Sequence, residues 1–265
     1  MAEILRIGRH LIANGIRLHY VRFGDGKSPI VLLPGITSPA ATWEFVAQAM
    51  AEYNDIFVVD IRGRGLSQGG PDLPYGLEDY VADAAALVRN LDLRSPAIVG
   101  HSMGARIAAR LAARHPTLIG KLVLVDPPVS GPGRRPYPIP LDYYLQSMAA
   151  VANGQGYEAM KQSLPWTDAQ LQIRMEWLPT CEPEAIIQSH KSFHEDDMHT
   201  DLPAIEAPTL LLYAENGGTV SDQDALEISS LVKDCRQQKV AGAGHMIPWD
   251  QLEVFASSIK SFLHN

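Results

Sequence analysis

Residues 99–105 read VGHSMGA and stand between a short apolar run and a strong helical pattern. They contain the motif G-x-S-x-G, in which Gly100 and Gly104 flank Ser102. Glycines at these positions allow a tight turn from a strand into a helix, which exposes the serine hydroxyl at the end of the strand. At the start of that helix, the Met103 N–H would point at a developing oxyanion. A serine that only caps an ordinary helix gives the same local pattern. Other parts of the chain must therefore distinguish a nucleophile from a helix cap.

Short unbroken apolar runs lie on both sides of this turn, at residues 29–35, 55–63, 96–101, 121–127 and 208–215. Strands that are buried on both faces of a parallel sheet have this composition. Helical patterns alternate with them, and Asn14-Gly15 predicts an antiparallel hairpin near the start of the chain. The alternation predicts an α/β fold with a mostly parallel, doubly wound sheet.

The segment between Pro127 and Pro203 interrupts this alternation. It contains prolines and helix-like stretches at residues 141–154, 168–178 and 183–197, and no buried-strand pattern. The segment is too long for a plain loop inside a compact domain. We therefore predict a core formed by residues 1–126 and 204–265, and a helical cap formed by residues 127–203.

Composition excludes several classes of protein. The chain has 265 residues, 46% of them hydrophobic, and a formal net charge of −8, which argues against nucleic acid and anionic membrane surfaces as partners. No stretch approaches the ~20 apolar residues of a membrane span, and residues 1–15 contain no secretory apolar segment. Two cysteines are too few for a disulfide framework, and their context suggests no metal site. A soluble cytoplasmic protein with a small-molecule partner is the prediction.

A nucleophilic serine needs a base and an acid. His245 lies in the glycine-rich stretch VAGAGHMIPWD (240–250), after a short predicted strand near the C-terminus, where the order Ser…Asp…His requires the histidine. A loop histidine on the surface is the alternative interpretation. We predict that His245 is the base.

The acid has three candidates. The usual position, in the loop after the strand at 208–215, is occupied by Gly217, with Glu215 two residues before it. Asp222 lies further on, where it would cap a helix. Asp126 stands at the end of the preceding strand, at the edge where catalytic groups collect in open α/β sheets. A carboxylate from either strand end could orient the histidine. We favour Asp126, with Glu215 next.

The second donor to an oxyanion would come from the loop LLPGITSPAATW (32–43). Gly35 permits close approach there, and the Ile36 N–H is the predicted donor, together with that of Met103. A plain strand-to-helix turn is the alternative.

Together these stretches resemble the α/β-hydrolase superfamily over nearly the whole chain. Within it, LLPGITSPAATW, DIRGRGLS, VGHSMGAR, LVDPPVSGPGRR and GAGHMIPWD look like the N-formylmaleamate deformylases of aerobic nicotinate breakdown. The resemblance implies an eight-stranded core with a cap, release of formate from an N-formyl amide, no cofactor, and Asp126 as the acid. The chain departs from the wider superfamily at Pro34, where His-Gly is usual, and at Gly217.

A small anionic substrate needs cations, and the cap has few. Residues 127–203 contain five basic and ten acidic side chains. Arg134 and Arg135 are adjacent, so in an extended segment at most one faces the site. We name Arg135, Arg174 and His194 as candidate substrate ligands, and a solvated surface position is the alternative for each.

Three other functions stay open. A carboxylesterase or lactonase would use the same three catalytic residues, as would a hydrolase of an acylamino-methylene dicarboxylate. A non-catalytic ligand receptor on the same fold belongs to another class, and fold alone does not exclude it.

Overall fold

The computed structural model describes residues 6–264, apart from the side chain at position 163. The predicted core segments extend beyond this range at residues 1–5 and 265, which lie outside the described residues. The eight strands of the central sheet are Arg6–Ala13 (β1), Ile16–Phe23 (β2), Ser28–Leu33 (β3), Asn54–Asp60 (β4), Ala97–His101 (β5), Lys121–Val125 (β6), Thr209–Ala214 (β7) and Cys235–Val240 (β8). Their order across the sheet is β1-β2-β4-β3-β5-β6-β7-β8.

The sheet is mostly parallel, as predicted. β1 and β2 form the antiparallel hairpin around Asn14-Gly15, where both residues have positive φ, and β2 also pairs antiparallel with β4. The remaining pairs from β4 through β8 are parallel, so their carboxyl ends meet at one edge. The loops that follow β3, β5, β6, β7 and β8 can therefore bring side chains together at that edge.

Helices cover both faces of the sheet. Those of the predicted core are Glu44–Met50 (α1), Leu77–Asn90 (α2), Met103–Arg114 (α3), Asp222–Leu231 (α8), Ile247–Asp250 (α9) and Leu252–His264 (α10). Alternate residues of each strand face opposite sides. Ile30 and Leu32 of β3 pack in one apolar cluster with α1 and α10, whereas Val31 and Leu33 pack in the other with α2 and α3.

Four α-helices lie between β6 and β7, and the described backbone of residues 127–203 contains no strand. They are Leu141–Ala152 (α4), Gly156–Ser163 (α5), Asp168–Trp177 (α6) and Pro183–Glu195 (α7). The sequence pattern predicted α4, α6 and α7 but not the short α5. We call residues 127–203 the cap, although its status as a separate unit stays a prediction.

The turn from β5 into α3 is packed against the end of β3. A Cβ added at Gly104 would lie 1.9 Å from the Leu33 carbonyl oxygen, and one added at Gly100 would lie 2.2 Å from the Gly104 carbonyl oxygen. Only hydrogen fits in either place. The two glycines thus allow α3 to begin in contact with the sheet edge.

We predict that Gly104→Ala destabilises the fold, because its Cβ would overlap backbone that no rotamer change can move. Overpacking of this kind costs about 3 kcal/mol, or a decrease of roughly 10 °C in Tm. Thermal unfolding measures it. The control is Gly76→Ala, whose Cβ would meet only the flexible carboxylate of Asp79, at 3.2 Å. An unchanged Tm for Gly104→Ala would show that the packing argument is wrong.

Candidate active site

Ser102 lies in the strained turn that ends β5. Its φ and ψ are 54° and −118°, a conformation that L-residues seldom adopt, and its side chain is buried. The hydroxyl oxygen lies 3.0 Å from Nε2 of His245. Strain of this kind is typical of functional sites, and here it aims the hydroxyl at the imidazole rather than at the helix that follows.

Asp126 follows β6 directly and is fully buried. Its φ of 45° turns the carboxylate across the sheet edge toward β7. Oδ1 accepts a hydrogen bond from the Ala214 N–H at 3.2 Å, and Oδ2 lies 2.6 Å from Nδ1 of His245. The neutral imidazole can then carry its proton on Nδ1 and leave Nε2 free to accept the Ser102 proton.

The other two candidate acids lie elsewhere. Glu215 is exposed, and its Oε2 accepts from the Gly242 N–H at 2.9 Å. Asp222 is bonded to Tyr213 and Lys239 on the surface. The expectation that Asp222 caps a helix is wrong, because Ser221 is the N-cap residue of α8. Of the three carboxylates, the structure brings only that of Asp126 to His245.

Gly217, which occupies the usual position of the acid, lies against the Asp126 carboxylate. A Cβ added at Gly217 would come within 2.9 Å of Asp126 Oδ2 and 2.7 Å of the Ala214 Cβ. A larger residue would therefore displace the carboxylate from His245. The absence of a side chain at position 217 is a steric requirement of an acid placed at the end of β6.

Two further residues hold His245, and sequence reasoning missed both. The His101 Nε2–H donates to the His245 carbonyl oxygen at 2.9 Å, and the Thr219 hydroxyl lies 3.1 Å from His245 Nδ1. Burial and the neighbouring His245 lower the pKa of His101 to about 3, so it stays neutral at physiological pH. The only sequence signal for His101 was its position beside Ser102, and Thr219 had none.

The predicted oxyanion residues flank Ser102. A Cβ added at Gly35 would lie 3.5 Å from the Ser102 Cβ, so the loop after β3 packs directly on the nucleophile turn. Ile36 is the next residue of this loop. Met103 is the first residue of α3, where backbone N–H groups have no partner within the helix. Donors placed in this way can stabilise negative charge on an oxygen bound beside Ser102.

Two buried tyrosines of the cap approach Ser102 from the other side. The Tyr137 hydroxyl is hydrogen-bonded to that of Tyr144 at 2.9 Å, and it also interacts with Ser102. Burial raises the pKa of Tyr137 to about 12, against the smaller opposing effect of those two hydrogen bonds. Tyr137 is therefore a neutral hydroxyl beside the serine. No sequence pattern distinguished it from the prolines around it.

Arg174 is brought toward the site by α6. Its guanidinium donates to both the carbonyl oxygen and the hydroxyl of Thr37, the latter at 2.7 Å. Burial lowers its pKa below the ordinary value of an arginine. Within residues 6–264, no carboxylate lies at ion-pair distance from it. Arg174 is thus a cation bound to Thr37, the residue that follows Ile36, and it has no anionic partner among the described side chains.

The other cap cations are not brought to the site. Arg134 pairs with Glu227 and Asp197. Arg135 donates to Asp224 and to the carbonyl oxygens of residues 218 and 219, so it ties down the loop behind Thr219. His194 is exposed on α7, with its ring 5.2 Å from that of His190. The partners that the structure gives Arg135 and His194 do not include Ser102 or His245, so their contact with the substrate stays a prediction.

Two cavities adjoin these residues. A cleft of about 1070 Å³ between α1, α6 and the His245 loop is lined in part by His245, which is 24% exposed. A cavity of about 30 Å³ lies beside Arg174, Thr37 and Tyr144. Leu164 and Trp166 line both cavities, so they form the wall between them. The cleft gives solvent a path to the imidazole, while the cap covers Ser102.

The described part of the chain lacks two kinds of feature. Residues 6–264 contain no cluster of three or more His, Cys, Asp or Glu side chains suited to a metal ion. No helix in that range is long and apolar enough to cross a membrane.

The family model and a curated relative identify the group of proteins that this chain is similar to. The model of the alpha/beta hydrolase family matches residues 30–258. The chain is 47% identical, over 97% of its length and 96% of the relative's, to N-formylmaleamate deformylase of Pseudomonas putida.

Solved structures give the same result. The N-formylmaleamic acid deformylase of Pseudomonas putida S16 superposes with a TM-score of 0.91 at 44% identity, over 96% of this chain and 100% of the other. E-2-(acetamidomethylene)succinate hydrolase superposes with a TM-score of 0.81 at 25% identity, over 98% and 100%. The chain therefore belongs to the α/β-hydrolase family, and it is a hydrolase similar to the N-formylmaleamate deformylases.

Proposed function

We propose that this protein hydrolyses the formyl C–N bond of N-formylmaleamate, giving maleamate and formate, with Ser102, His245 and Asp126 as its catalytic triad. The observation that carries the proposal is the line of hydrogen bonds from Asp126 through His245 to Ser102, in a chain that is 47% identical to N-formylmaleamate deformylase. The geometry supports the class of reaction, and the relative supports the substrate.

In the first half-reaction, His245 Nε2 takes the Ser102 proton and the serine oxygen attacks the formyl carbon. The carbonyl oxygen becomes an oxyanion, which the N–H groups of Ile36 and Met103 stabilise. As the C–N bond breaks, the imidazolium gives its proton to the departing nitrogen, and maleamate leaves. That nitrogen is itself acylated and so less basic than an amine, which eases the cleavage.

In the second half-reaction, water enters from the cleft beside His245 and attacks the formyl ester on Ser102. His245 takes a proton from this water and returns it to the serine oxygen, and formate is released. Asp126 keeps the imidazole in the productive tautomer during both steps. The overall balance is one water consumed for each formyl group released, with no net change in the enzyme.

Substrate orientation follows from the charges at the site. With the formyl group on Ser102, Arg174 is the available cation for the maleamate carboxylate, because Arg134 and Arg135 have acidic partners. A carboxylate and a guanidinium form a strong, charge-assisted hydrogen bond. The cavity beside Arg174 holds only about 30 Å³, and Leu164 and Trp166 separate it from the larger cleft beside His245.

The experiment that tests the function is an assay of formate release. We expect N-formylmaleamate to be hydrolysed to formate and maleamate, and Ser102→Ala to have no measurable turnover while it remains folded. Short carboxylic esters, lactones and 2-(acetamidomethylene)succinate are the competing substrates. Preferred hydrolysis of any of these, or no turnover of N-formylmaleamate by pure protein, would reject the proposed substrate.

The acid is tested by amide variants. Asp126→Asn should lower kcat by up to about four orders of magnitude, because the amide favours the wrong histidine tautomer. The matched control is Glu215→Gln, which should keep kcat within roughly threefold, because Glu215 contacts Gly242 and not His245. Steady-state kinetics of both folded variants decide it. A near-normal kcat in Asp126→Asn, together with a strongly lowered kcat in Glu215→Gln, would assign Glu215 as the acid instead.

The role of Arg174 is tested by changing the charge of the substrate as well as that of the enzyme. Arg174→Met should lower kcat/KM for N-formylmaleamate by about 10- to 100-fold, the value of one charge-assisted hydrogen bond. The neutral analogue, in which a carboxamide replaces the carboxylate, should lose much less. Lys191→Met, on the exposed face of α7, is the control. Equal losses for both substrates would show that Arg174 only supports Thr37.

A further inference from the structure

Arg64 is a buried guanidinium under the predicted oxyanion hole, and its side chain is only 1% exposed. It follows β4 in the stretch DIRGRGLS (60–67), which the proposed mechanism does not otherwise use. Its donors reach six acceptors: Ile36 O (2.9 Å), Arg62 O (2.8 Å), Tyr80 Oη (2.8 Å), Ser189 Oγ (2.9 Å), Ala185 O (3.2 Å) and Met103 Sδ (3.8 Å). One side chain thus touches both residues whose N–H groups would bind the oxyanion.

All six acceptors are uncharged. Among the side chains of residues 6–264, no carboxylate lies at ion-pair distance from Arg64. Arg62, two residues earlier and equally buried, differs in this respect, because it forms a two-point pair with Asp83 at 2.6 and 2.7 Å. A charge buried without a counter-ion is costly. A functional role beside Ile36 would explain why the protein bears the cost of burying the Arg64 charge.

The contacts of Arg64 fix the oxyanion loop in one orientation. The guanidinium holds the Ile36 carbonyl, and the Gly35 carbonyl, which shares a peptide plane with the Ile36 N–H, accepts a hydrogen bond from the Ser38 N–H at 3.2 Å. Ile36 is therefore held at both of its peptide groups, which restricts rotation of its N–H. Arg174 holds the next carbonyl, that of Thr37, from the side of the cap. Two cations therefore donate hydrogen bonds to consecutive carbonyl groups of this loop. Arg64 of the core donates to Ile36, and Arg174 of the cap donates to Thr37.

We propose that Arg64 is a positioning residue for the oxyanion hole, which holds the Ile36 backbone in place, contacts the side chain of Met103 and contributes a positive charge without a counter-ion behind them. The inference rests on the proposed serine-hydrolase function. Donors that are fixed before the reaction stabilise the transition state more than the bound substrate. Loss of Arg64 therefore affects kcat rather than KM.

The test compares Arg64→Lys and Arg64→Gln with Arg62→Lys. We expect Arg64→Lys to lower kcat for N-formylmaleamate by about 10-fold and Arg64→Gln to lower it by about 100-fold. The decrease in kcat on removal of one oxyanion donor is as large as the second value or larger. KM should change less than about threefold in both variants. Arg62→Lys, which loses an equally buried guanidinium away from Ile36, is expected to lower Tm but to keep kcat. Circular dichroism and Tm identify any variant that does not fold. If Arg64→Gln does not fold, Arg64→Lys alone provides the test.

A second readout separates this inference from the choice of substrate. A small boronic acid forms a tetrahedral adduct on an activated serine and uses the oxyanion hole, whatever the natural substrate is. Its affinity should fall in the Arg64 variants by the same factor as kcat, whereas inhibition by maleamate should not change. If wild type binds the boronic acid but releases no formate, the proposed substrate fails and the affinity series still tests Arg64. Unchanged boronic acid affinity in Arg64→Lys and Arg64→Gln, or an equal loss in Arg62→Lys, would overturn the inference.

Discussion

The close contact between the start of α3 and the end of β3 is the constraint on which the site depends. A Cβ at Gly104 would lie 1.9 Å from the Leu33 carbonyl oxygen, so the helix can begin there only because position 104 lacks a side chain. This contact places Ser102, Met103 and the loop containing Ile36 at one point of the sheet edge. The positive φ of Ser102 is the strain that accompanies it. Without this contact, the serine and the proposed oxyanion donors would not share a site.

The position of Asp126, the proposed acid, depends on the loop that follows β7. Asp126 reaches His245 from β6, with its own positive φ and a hydrogen bond from the Ala214 N–H of β7. Gly217 leaves the space that its carboxylate fills. His101 donates to the backbone carbonyl of His245, and the Thr219 hydroxyl contacts Nδ1 of its imidazole. Arg135 supports Thr219 in turn, because it donates to the carbonyl oxygens of Gly218 and Thr219. The acid position and the shape of the following loop therefore depend on each other.

The fold was predictable because its signals are local. Apolar runs marked β3 to β7, and the glycines around Ser102 marked the turn. For the acid, the residues alone left Asp126 and Glu215 open, since both strands end at the same edge, and only the positions of the side chains separate them. The contacts of Arg64 with Ser189 and of Arg174 with Thr37 join residues 125 and 137 positions apart. No local pattern encodes such pairs, and for the same reason adjacent arginines gave no sign that Arg135 would bind the loop after β7.

We propose that Ser102 is an activated nucleophile rather than a buried serine that only begins a helix. Labelling with an organophosphate, followed by intact mass and peptide mass spectrometry, tests this activation. We expect one adduct per chain, on Ser102, formed much more slowly in Asp126→Asn and absent in Ser102→Ala. No adduct on folded protein, or an adduct on another residue that persists in Ser102→Ala, would contradict it.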